Sequence, residues 1–313
     1  MFTRTAALLA ALIVLGTAPA NAADKLTVLL DWFVNPDHGP LIIADKKGFF
    51  ADEGLEVELI APADPNDPPK LVAAQKADIA VSYQPQLHIQ AAEGLPLVRF
   101  GTLVATPLNT LVVLKDGPVK SIADLKGRKV GYSVGGFEDA LLGAMLTKHG
   151  LTLSDVELIN VNFSLSPSII SGQVDAVIGA FRNFELNQMD IVGKPGRAFF
   201  VEEEGVPPYD ELIYIAHRDR LDDPRLKKFL SAVEQATQYI VNHPGDAWAA
   251  FIDGRKELDD ELNKRAWRDT LPRFALRPAA LDRGRYERFA AFMKESGLIT
   301  KDVKTELYTT ELQ

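Results

Sequence analysis

Short apolar runs alternate with amphipathic segments along most of the chain. Apolar runs of four to six residues predict buried strands, and apolar positions three or four residues apart predict helices. The predicted strands are residues 25–30, 57–60, 78–82, 111–114, 129–132, 156–161 and 175–179. The predicted helices are residues 41–48, 70–76, 121–125, 137–149, 166–171, 225–242 and 259–267. This alternation indicates an α/β fold in which helices cover mainly parallel sheets.

Two segments of the chain repeat one pattern. Lys70–Tyr83 and Ser168–Phe181 each contain a short helix, a polar turn, a single Asp and an apolar strand. The alternative is chance similarity, because neither segment has an unusual composition. If the repeat is real, residues 82–86 and 180–185 are equivalent loops that follow equivalent strands. Ligands of open α/β sheets bind beyond such strand ends, so both loops are candidate binding segments.

The N-terminus predicts export. Residues 1–22 combine Arg4, an apolar run of about ten residues and the small residues of Ala20-Asn21-Ala22, as in a secretory signal peptide. We expect cleavage after residue 22 and release into a bacterial periplasm. The chain contains no Cys, so it carries no lipid on an N-terminal cysteine and no thiolate metal site.

Composition narrows the classes of function. The chain has 313 residues, 47% of them hydrophobic, which suggests two domains, each with its own core. A net charge of −9 argues against nucleic acid as a partner, because binding a phosphate backbone requires a basic surface. No P-loop, dinucleotide fingerprint or metal-binding motif is present, so we expect no cofactor and no metal.

One motif predicts an enzyme. Gly131-Tyr132-Ser133-Val134-Gly135 matches the nucleophile elbow of serine hydrolases, and it lies between a predicted strand and a predicted helix. A hydrolase also needs a His base, and the later histidines lie in no recognisable partner motif. The competing interpretation is a glycine-rich turn whose backbone N–H groups at Gly135 and Gly136 contact a ligand. Both remain hypotheses at this point.

Two aromatic and polar segments are candidates for ligand recognition. The first, Asp31–Gly39, follows the first predicted strand and contains Trp32, Asn35 and His38. A Trp face can stack on a planar ring, whereas the alternative is a core Trp beside helix-capping Asn and Asp residues. Tyr83, at the end of another predicted strand, is expected to face the same space.

The second segment, Phe181–Glu185, places a carboxylic acid and aromatic rings after a predicted buried strand. Burial would raise the pKa of Glu185, so its carboxyl group could donate a hydrogen bond to a ring nitrogen as well as accept one from an amine. The alternative is a solvated Glu on a surface loop. These side chains predict recognition and require no catalysis.

These residues resemble a known family. Leu30–Leu59 (LDWFVNPDHGPLIIADKKGFFADEGLEVEL) is similar to the opening of periplasmic substrate-binding proteins that take up pyrimidine precursors of thiamine. These proteins are related to the fungal enzyme that makes hydroxymethylpyrimidine phosphate. Three further segments carry the resemblance: Lys76–Val81 (KADIAV), Asp124–Tyr132 (DLKGRKVGY) and Gly172–Glu185 (GQVDAVIGAFRNFE).

The resemblance implies a type II periplasmic binding protein. Its two lobes, joined by two hinge crossings, would close on an aminopyrimidine such as a formylamino or hydroxymethyl derivative. An inner-membrane ABC permease and its ATPase would then receive this ligand, and the binding protein would act as a monomer. The ligand-binding residues implied by motif position and by the strand ends are Trp32, Asn35, His38, Tyr83, Gly135, Gly136, Phe181 and Glu185.

Departures from the fungal enzyme predict that the chain is not an enzyme. Ser82 and Gln86 stand where that enzyme has a cofactor-binding Lys and a His, and no Cys is present. Relatives with this fold also bind riboflavin, sulfonates or other nitrogenous heterocycles, so these ligands are alternatives. We expect lobe 1 to comprise residues 23–107 and 206–313, and lobe 2 residues 108–205, with crossings near Thr106 and Val206.

Overall fold

The apolar runs form two five-stranded sheets. The computed structural model describes residues 23–312, so the predicted signal peptide lies outside the described residues. The strands of the first sheet are β1 (Asp24–Leu29), β2 (Leu55–Ile60), β3 (Ile79–Ser82), β4 (Leu97–Val104) and β10 (Leu212–His217). Those of the second are β5 (Asn109–Leu114), β6 (Lys129–Tyr132), β7 (Glu157–Asn160), β8 (Ala176–Phe181) and β9 (Gly196–Phe200).

Each sheet is mainly parallel with one reversed strand. The strand orders are β2-β1-β3-β10-β4 and β7-β6-β8-β5-β9. β10 pairs antiparallel with both β3 and β4, and β5 pairs antiparallel with both β8 and β9. The remaining pairs are parallel, with Leu26 opposite Val57 and Val130 opposite Leu158. The reversed strand is in each case the first one after the chain crosses to that sheet.

Helices cover both sheets. Beside the first sheet lie α1 (Gly39–Lys46), α2 (Phe49–Asp52), α3 (Pro68–Ala73), α4 (Gln84–Glu93), α8 (Pro224–Asn242), α9 (Pro244–Ile252), α10 (Glu261–Thr270) and α11 (Arg283–Glu295). Beside the second lie α5 (Glu138–Lys148), α6 (Leu165–Ile170) and α7 (Glu185–Ile191). We call each sheet with its helices a lobe, lobe 1 and lobe 2. The predicted α/β fold with two lobes is confirmed.

The chain crosses between the lobes twice. One connection joins β4 to β5 and contains Thr106, and the other joins β9 to β10 and contains Val206. The exact lobe boundaries and the hinge positions stay predictions.

The internal repeat corresponds to equivalent structural units. In each repeat a short helix, α3 or α6, precedes a strand, β3 or β8, that holds the third and central position of its sheet. The ends of these strands face the space between the lobes, as the repeat predicts. The loops predicted after them are shorter than expected, because helices already begin at Gln84 and Glu185.

The predicted strands include neither β9 nor β10, and they do not include β4. This strand is fully buried, yet it contains Arg99, whose guanidinium group is hidden from solvent. Burial is possible because Arg99 donates to the carbonyl groups of Ala279 and Thr310 and to the Thr102 hydroxyl group. Within residues 23–312, no helix has both the length and the apolar composition needed to cross a bilayer.

Candidate functional site

A cavity lies between the lobes, where β1, β3 and β8 end. Its free volume is about 20 Å³, which is room for about one water molecule. Lobe 1 contributes Asp31, Trp32, Asn35, Asp37 and Tyr83, and lobe 2 contributes Glu138, Leu165, Gly179, Phe181, Phe184 and Glu185. The space is narrow, so a planar ring can enter only when the walls move apart.

Aromatic rings from both lobes meet at the cavity. Trp32 of lobe 1 packs edge-on against Phe163 of lobe 2, with ring centroids 4.6 Å apart. Tyr83 of lobe 1 stacks on Phe137 of lobe 2, with centroids 4.7 Å apart and an interplanar angle of 24°. The lobes are therefore in contact, and the cavity walls are suited to stacking on a flat ligand.

Asp31 organises the lobe 1 wall. Its carboxylate accepts hydrogen bonds from the Tyr83 hydroxyl group at 2.9 Å and from Nε2 of His38 at 2.9 Å. The other ring nitrogen of His38 accepts from the backbone N–H of Asn35, which sets the proton on Nε2. His38 is fully buried and does not line the cavity. It positions Asp31 and Tyr83 from behind, so the structure does not place it as the ligand contact that we predicted.

Asn35 lines the cavity and also fixes the local backbone. Its side-chain oxygen accepts the N–H of Asp37 at 2.8 Å, and its amide group donates to the carbonyl oxygen of Phe33 at 3.2 Å. Asn35 therefore caps the short 3-10 turn Pro36–His38. Helix capping was the alternative to ligand binding for this segment, and Asn35 combines the capping role with a place in the cavity lining.

Glu185 begins helix α7 and lines the lobe 2 wall. Its Oε2 accepts the backbone N–H of Phe181 at 2.7 Å. Burial raises the pKa of Glu185 to about 8, although the hydrogen bond from Phe181 favours the ionised form. The carboxyl group is therefore mostly protonated at neutral pH. A protonated carboxyl group can both donate and accept. The alternative of a solvated Glu185 is wrong, since the residue is only 7% exposed.

A second buried glutamate was not predicted. Glu138, in the first turn of α5, accepts the backbone N–H of Ser133 at 2.7 Å, and burial raises its pKa to about 8. It lies against Gly179, whose φ of +96° and missing side chain leave room for the carboxyl group. A methyl group at position 179 would collide with Glu138. The sequence signal was the acidic residue just after the glycine-rich turn.

Ser133 is not placed as a nucleophile. Its side chain is fully buried and donates to the carbonyl oxygen of Asn162. Among residues 23–312, no histidine forms a hydrogen bond with Ser133. The hydrolase hypothesis needs an exposed hydroxyl group beside a His base, so the structure argues against it.

The glycine-rich turn contacts the other lobe rather than the cavity. The N–H of Gly135 donates to the side-chain oxygen of Asn66 at 3.0 Å, and the N–H of Gly136 donates to Asp139 at 2.6 Å. Asn66, in the proline-rich loop after β2, also donates to the carbonyl oxygen of Ser133 at 3.2 Å. Gly135 and Gly136 do not line the cavity, so the structure does not bring these two predicted residues to it.

The two connections between the lobes are tied together by Glu211. Its carboxyl group accepts the N–H groups of Leu108 and Asn109 at 2.6 and 2.9 Å, and the hydroxyl group of Tyr209 at 3.1 Å. Burial raises the pKa of Glu211 to about 7. Arg182 supports the same region through hydrogen bonds to Glu202 at 2.7 and 2.9 Å.

The cavity is acidic. In the part of the chain that the structure describes, its lining contains Asp31, Asp37, Glu138 and Glu185 but no Lys, Arg or His. Of the predicted residues, Trp32, Asn35, Tyr83, Phe181 and Glu185 come together here. An acidic, aromatic and enclosed site is suited to a flat ligand with several hydrogen-bond donors, and it disfavours an anion.

Comparison with known proteins identifies the family. Residues 35–247 match the NMT1/THI5-like family. A Haemophilus influenzae protein whose name refers to thiamine biosynthesis is 56% identical over 298 residues, which cover 95% of each chain. The formylaminopyrimidine-binding protein of Halalkalibacterium halodurans is 32% identical over 263 residues, which cover 82% of this chain and 80% of that protein.

Solved structures show the same fold. The alkanesulfonate-binding protein of Xanthomonas axonopodis pv. citri, bound to MOPS, superposes with a TM-score of 0.73 at 14% identity, and the match covers 93% of this chain and 99% of that one. At this identity the likeness shows the fold alone, which is that of a periplasmic binding protein. The chain has this fold and belongs to the NMT1/THI5-like family.

Proposed function

We propose that the protein is the solute-binding component of an ABC importer and that it captures an uncharged aminopyrimidine precursor of thiamine between its lobes. The observation that carries this proposal is the cavity between the lobes, in which aromatic rings and the buried carboxyl group of Glu185 face one space. The named binding function of the Halalkalibacterium halodurans relative supports the choice of a formylamino or hydroxymethyl aminopyrimidine.

The chemistry of an aminopyrimidine edge fits Glu185. Such an edge presents a ring nitrogen, which accepts a hydrogen bond, beside an amino group, which donates one. A protonated carboxyl group presents the opposite pair, so the two form a pair of parallel hydrogen bonds. Burial raises the pKa of Glu185 to about 8, and this keeps the matching form populated at neutral pH. The faces of the ring would contact the aromatic walls.

The charge of the cavity argues against the alternative sulfonate ligands. An anion would have to approach the carboxyl groups of Asp31 and Asp37 without a cationic partner in the lining, and a buried unpaired charge is strongly unfavourable. The same argument disfavours a pyrimidine that carries a phosphate group.

A binding role without catalysis and without a cofactor is part of the proposal. Ser82 and Gln86, which replace the Lys and His of the fungal enzyme, are buried and hydrogen-bonded to each other at 3.0 Å. Neither lines the cavity. Among the described residues, the cavity lining contains no Lys that could form a Schiff base with a cofactor.

The importer partners follow from the fold. Periplasmic binding proteins deliver ligands to a permease and its ATPase, and we propose the same for this chain, acting as a monomer in the periplasm. A thermal-shift screen tests the ligand. 4-Amino-5-hydroxymethyl-2-methylpyrimidine and its formylamino analogue should raise the unfolding temperature, because a ligand at 100 times its Kd adds about 2.7 kcal/mol of stability. Shifts with taurine or riboflavin, and none with the pyrimidines, would refute the proposed ligand.

A further inference from the structure

One buried carboxyl group in the cavity has an oxygen without a partner. Asp37 lines the cavity and is 1% exposed. Its Oδ1 accepts from the amide group of Asn183 at 2.6 Å and from the hydroxyl group of Thr270 at 2.9 Å. Within residues 23–312, no donor reaches its Oδ2. A buried carboxylate oxygen with no donor is costly, and this points to a donor that the protein itself does not supply.

The surroundings of Asp37 hold the carboxyl group in place. Asn183 belongs to lobe 2 and Thr270 to lobe 1, so Oδ1 is fixed from both sides. The backbone N–H of Asp37 is fixed by Asn35 at 2.8 Å. Asp37 therefore cannot turn its free oxygen elsewhere without breaking a contact between the lobes.

Asp37 and Glu185 offer different chemistry to a ligand. Burial raises the pKa of Asp37 to about 6, so this carboxyl group is mainly ionised at neutral pH and can only accept. Glu185, on the opposite lobe, is mainly protonated and can also donate. If Glu185 pairs with the edge of the aminopyrimidine ring, the remaining donors of such a ligand are the second N–H of its amino group and the donor on its side arm, a hydroxyl group or an amide N–H.

Resting on the proposed function, we propose that Asp37 is a specificity-determining residue whose Oδ2 accepts a hydrogen bond from the donor on the side arm of the ligand. The site then selects a ring with two separate sets of donors, one at the ring edge and one on the arm. A pyrimidine whose arm ends in a methyl group leaves Oδ2 unpaired and binds more weakly.

Calorimetric titration of two probes tests this assignment. The probes are 4-amino-5-hydroxymethyl-2-methylpyrimidine and 4-amino-2,5-dimethylpyrimidine, which differ in the arm hydroxyl group. Wild type should prefer the hydroxymethyl probe at least tenfold. Asp37→Asn keeps an oxygen for Asn183 but replaces the charged acceptor Oδ2 with an N–H donor, which the arm hydroxyl group can meet only as an acceptor. It should therefore weaken the hydroxymethyl probe more than the dimethyl probe and reduce the preference of wild type. The matched variant Thr270→Val removes a contact to Oδ1 and one to the carbonyl oxygen of Ala266, leaves Oδ2 unchanged and should shift both probes equally.

The outcomes separate the two proposals. If wild type binds neither probe, the proposed function fails and the role of Asp37 fails with it. If wild type binds both probes equally well, only the role of Asp37 is overturned, and this result does not depend on whether a variant folds. Equal effects of Asp37→Asn on both probes would show that the residue is merely structural and would also overturn the assignment.

Discussion

The clearest test of the binding chemistry is a pair of substitutions at Glu185. The side chain is 7% exposed, and Oε2 is already held by the N–H of Phe181 at 2.7 Å. Glu185→Ala removes both the donor and the acceptor that face the ring edge. Leaving two buried polar groups of the ligand unpaired costs about 1–3 kcal/mol each. At about 1.4 kcal/mol per factor of ten, the affinity should fall by roughly 30-fold to 20,000-fold.

The variant Glu185→Gln tests whether the carboxyl group of Glu185 binds the ligand in its neutral or its ionised form. An amide group has one donor and one acceptor, as a protonated carboxyl group has, so this variant should bind within about fivefold of wild type at pH 7. The affinity of wild type should fall above about pH 8, the pKa of Glu185, because the ionised form cannot donate. Glu185→Gln should show no such loss.

The assay is isothermal titration with the hydroxymethyl aminopyrimidine between pH 6 and 9. Glu203→Ala serves as the control, because Glu203 is an exposed glutamate outside the cavity lining. Thermal unfolding of each variant establishes that it is folded. If Glu185→Ala bound the ligand within twofold of wild type, the assignment of Glu185 to the ring edge would be refuted.

Three further predictions concern the walls and the closed state. Trp32→Ala should weaken the ligand at least 30-fold while Trp32→Phe retains most of the affinity, because a stacked aromatic ring contributes beyond its buried area; equal losses in titration would contradict this. Asn66→Ala removes two hydrogen bonds between the lobes, at 3.0 and 3.2 Å, and should speed ligand dissociation about 5- to 30-fold in stopped-flow traces. An unchanged rate would show that these hydrogen bonds do not hold the lobes closed. The folded-state pKa of Glu138 is about 8, above the unfolded value of 4.5, so stability is greatest below pH 4.5 and is lost as pH rises through 8. In wild type, this group should lower the unfolding free energy by up to about 1.4 kcal/mol for each pH unit between pH 5 and 8, and Glu138→Gln should remove that decrease. Urea denaturation between pH 5 and 9 measures it. The same pH dependence in both proteins would contradict the explanation by burial.

Much of the fold follows from hydrophobic periodicity. β6 begins and ends where the pattern predicts, and β3 and α8 differ by one residue at their N-terminal ends. The repeat of residues 70–83 in residues 168–181 predicted the equivalence of β3 and β8, because both strands are apolar and both follow a short helix. β4 escaped prediction because Arg99 interrupts its apolar pattern. Its burial depends on carbonyl groups that are distant in sequence, from Ala279 to Thr310.

The cavity lining was predictable where a residue lies just after a strand, as Trp32, Tyr83 and Glu185 do, and the role of these residues in binding stays a prediction. It was less predictable where the role depends on distant partners. His38 belongs to the predicted aromatic segment, yet it is a buried positioning residue, because Asp31 occupies the cavity wall in front of it. Asp37 was not among the predicted site residues, and its contacts to Asn183 and Thr270 are 146 and 233 residues away in sequence. Such contacts cannot be read from local patterns.

The most direct measurement is a crystal structure of the protein with a formylamino or hydroxymethyl aminopyrimidine bound. The account predicts one planar ligand between the lobes, stacked on Trp32, with its amino edge within hydrogen-bond distance of Glu185 and its arm donor on Asp37. A ligand bound elsewhere, or a ring in the cavity that touches neither Trp32 nor Glu185, would contradict it.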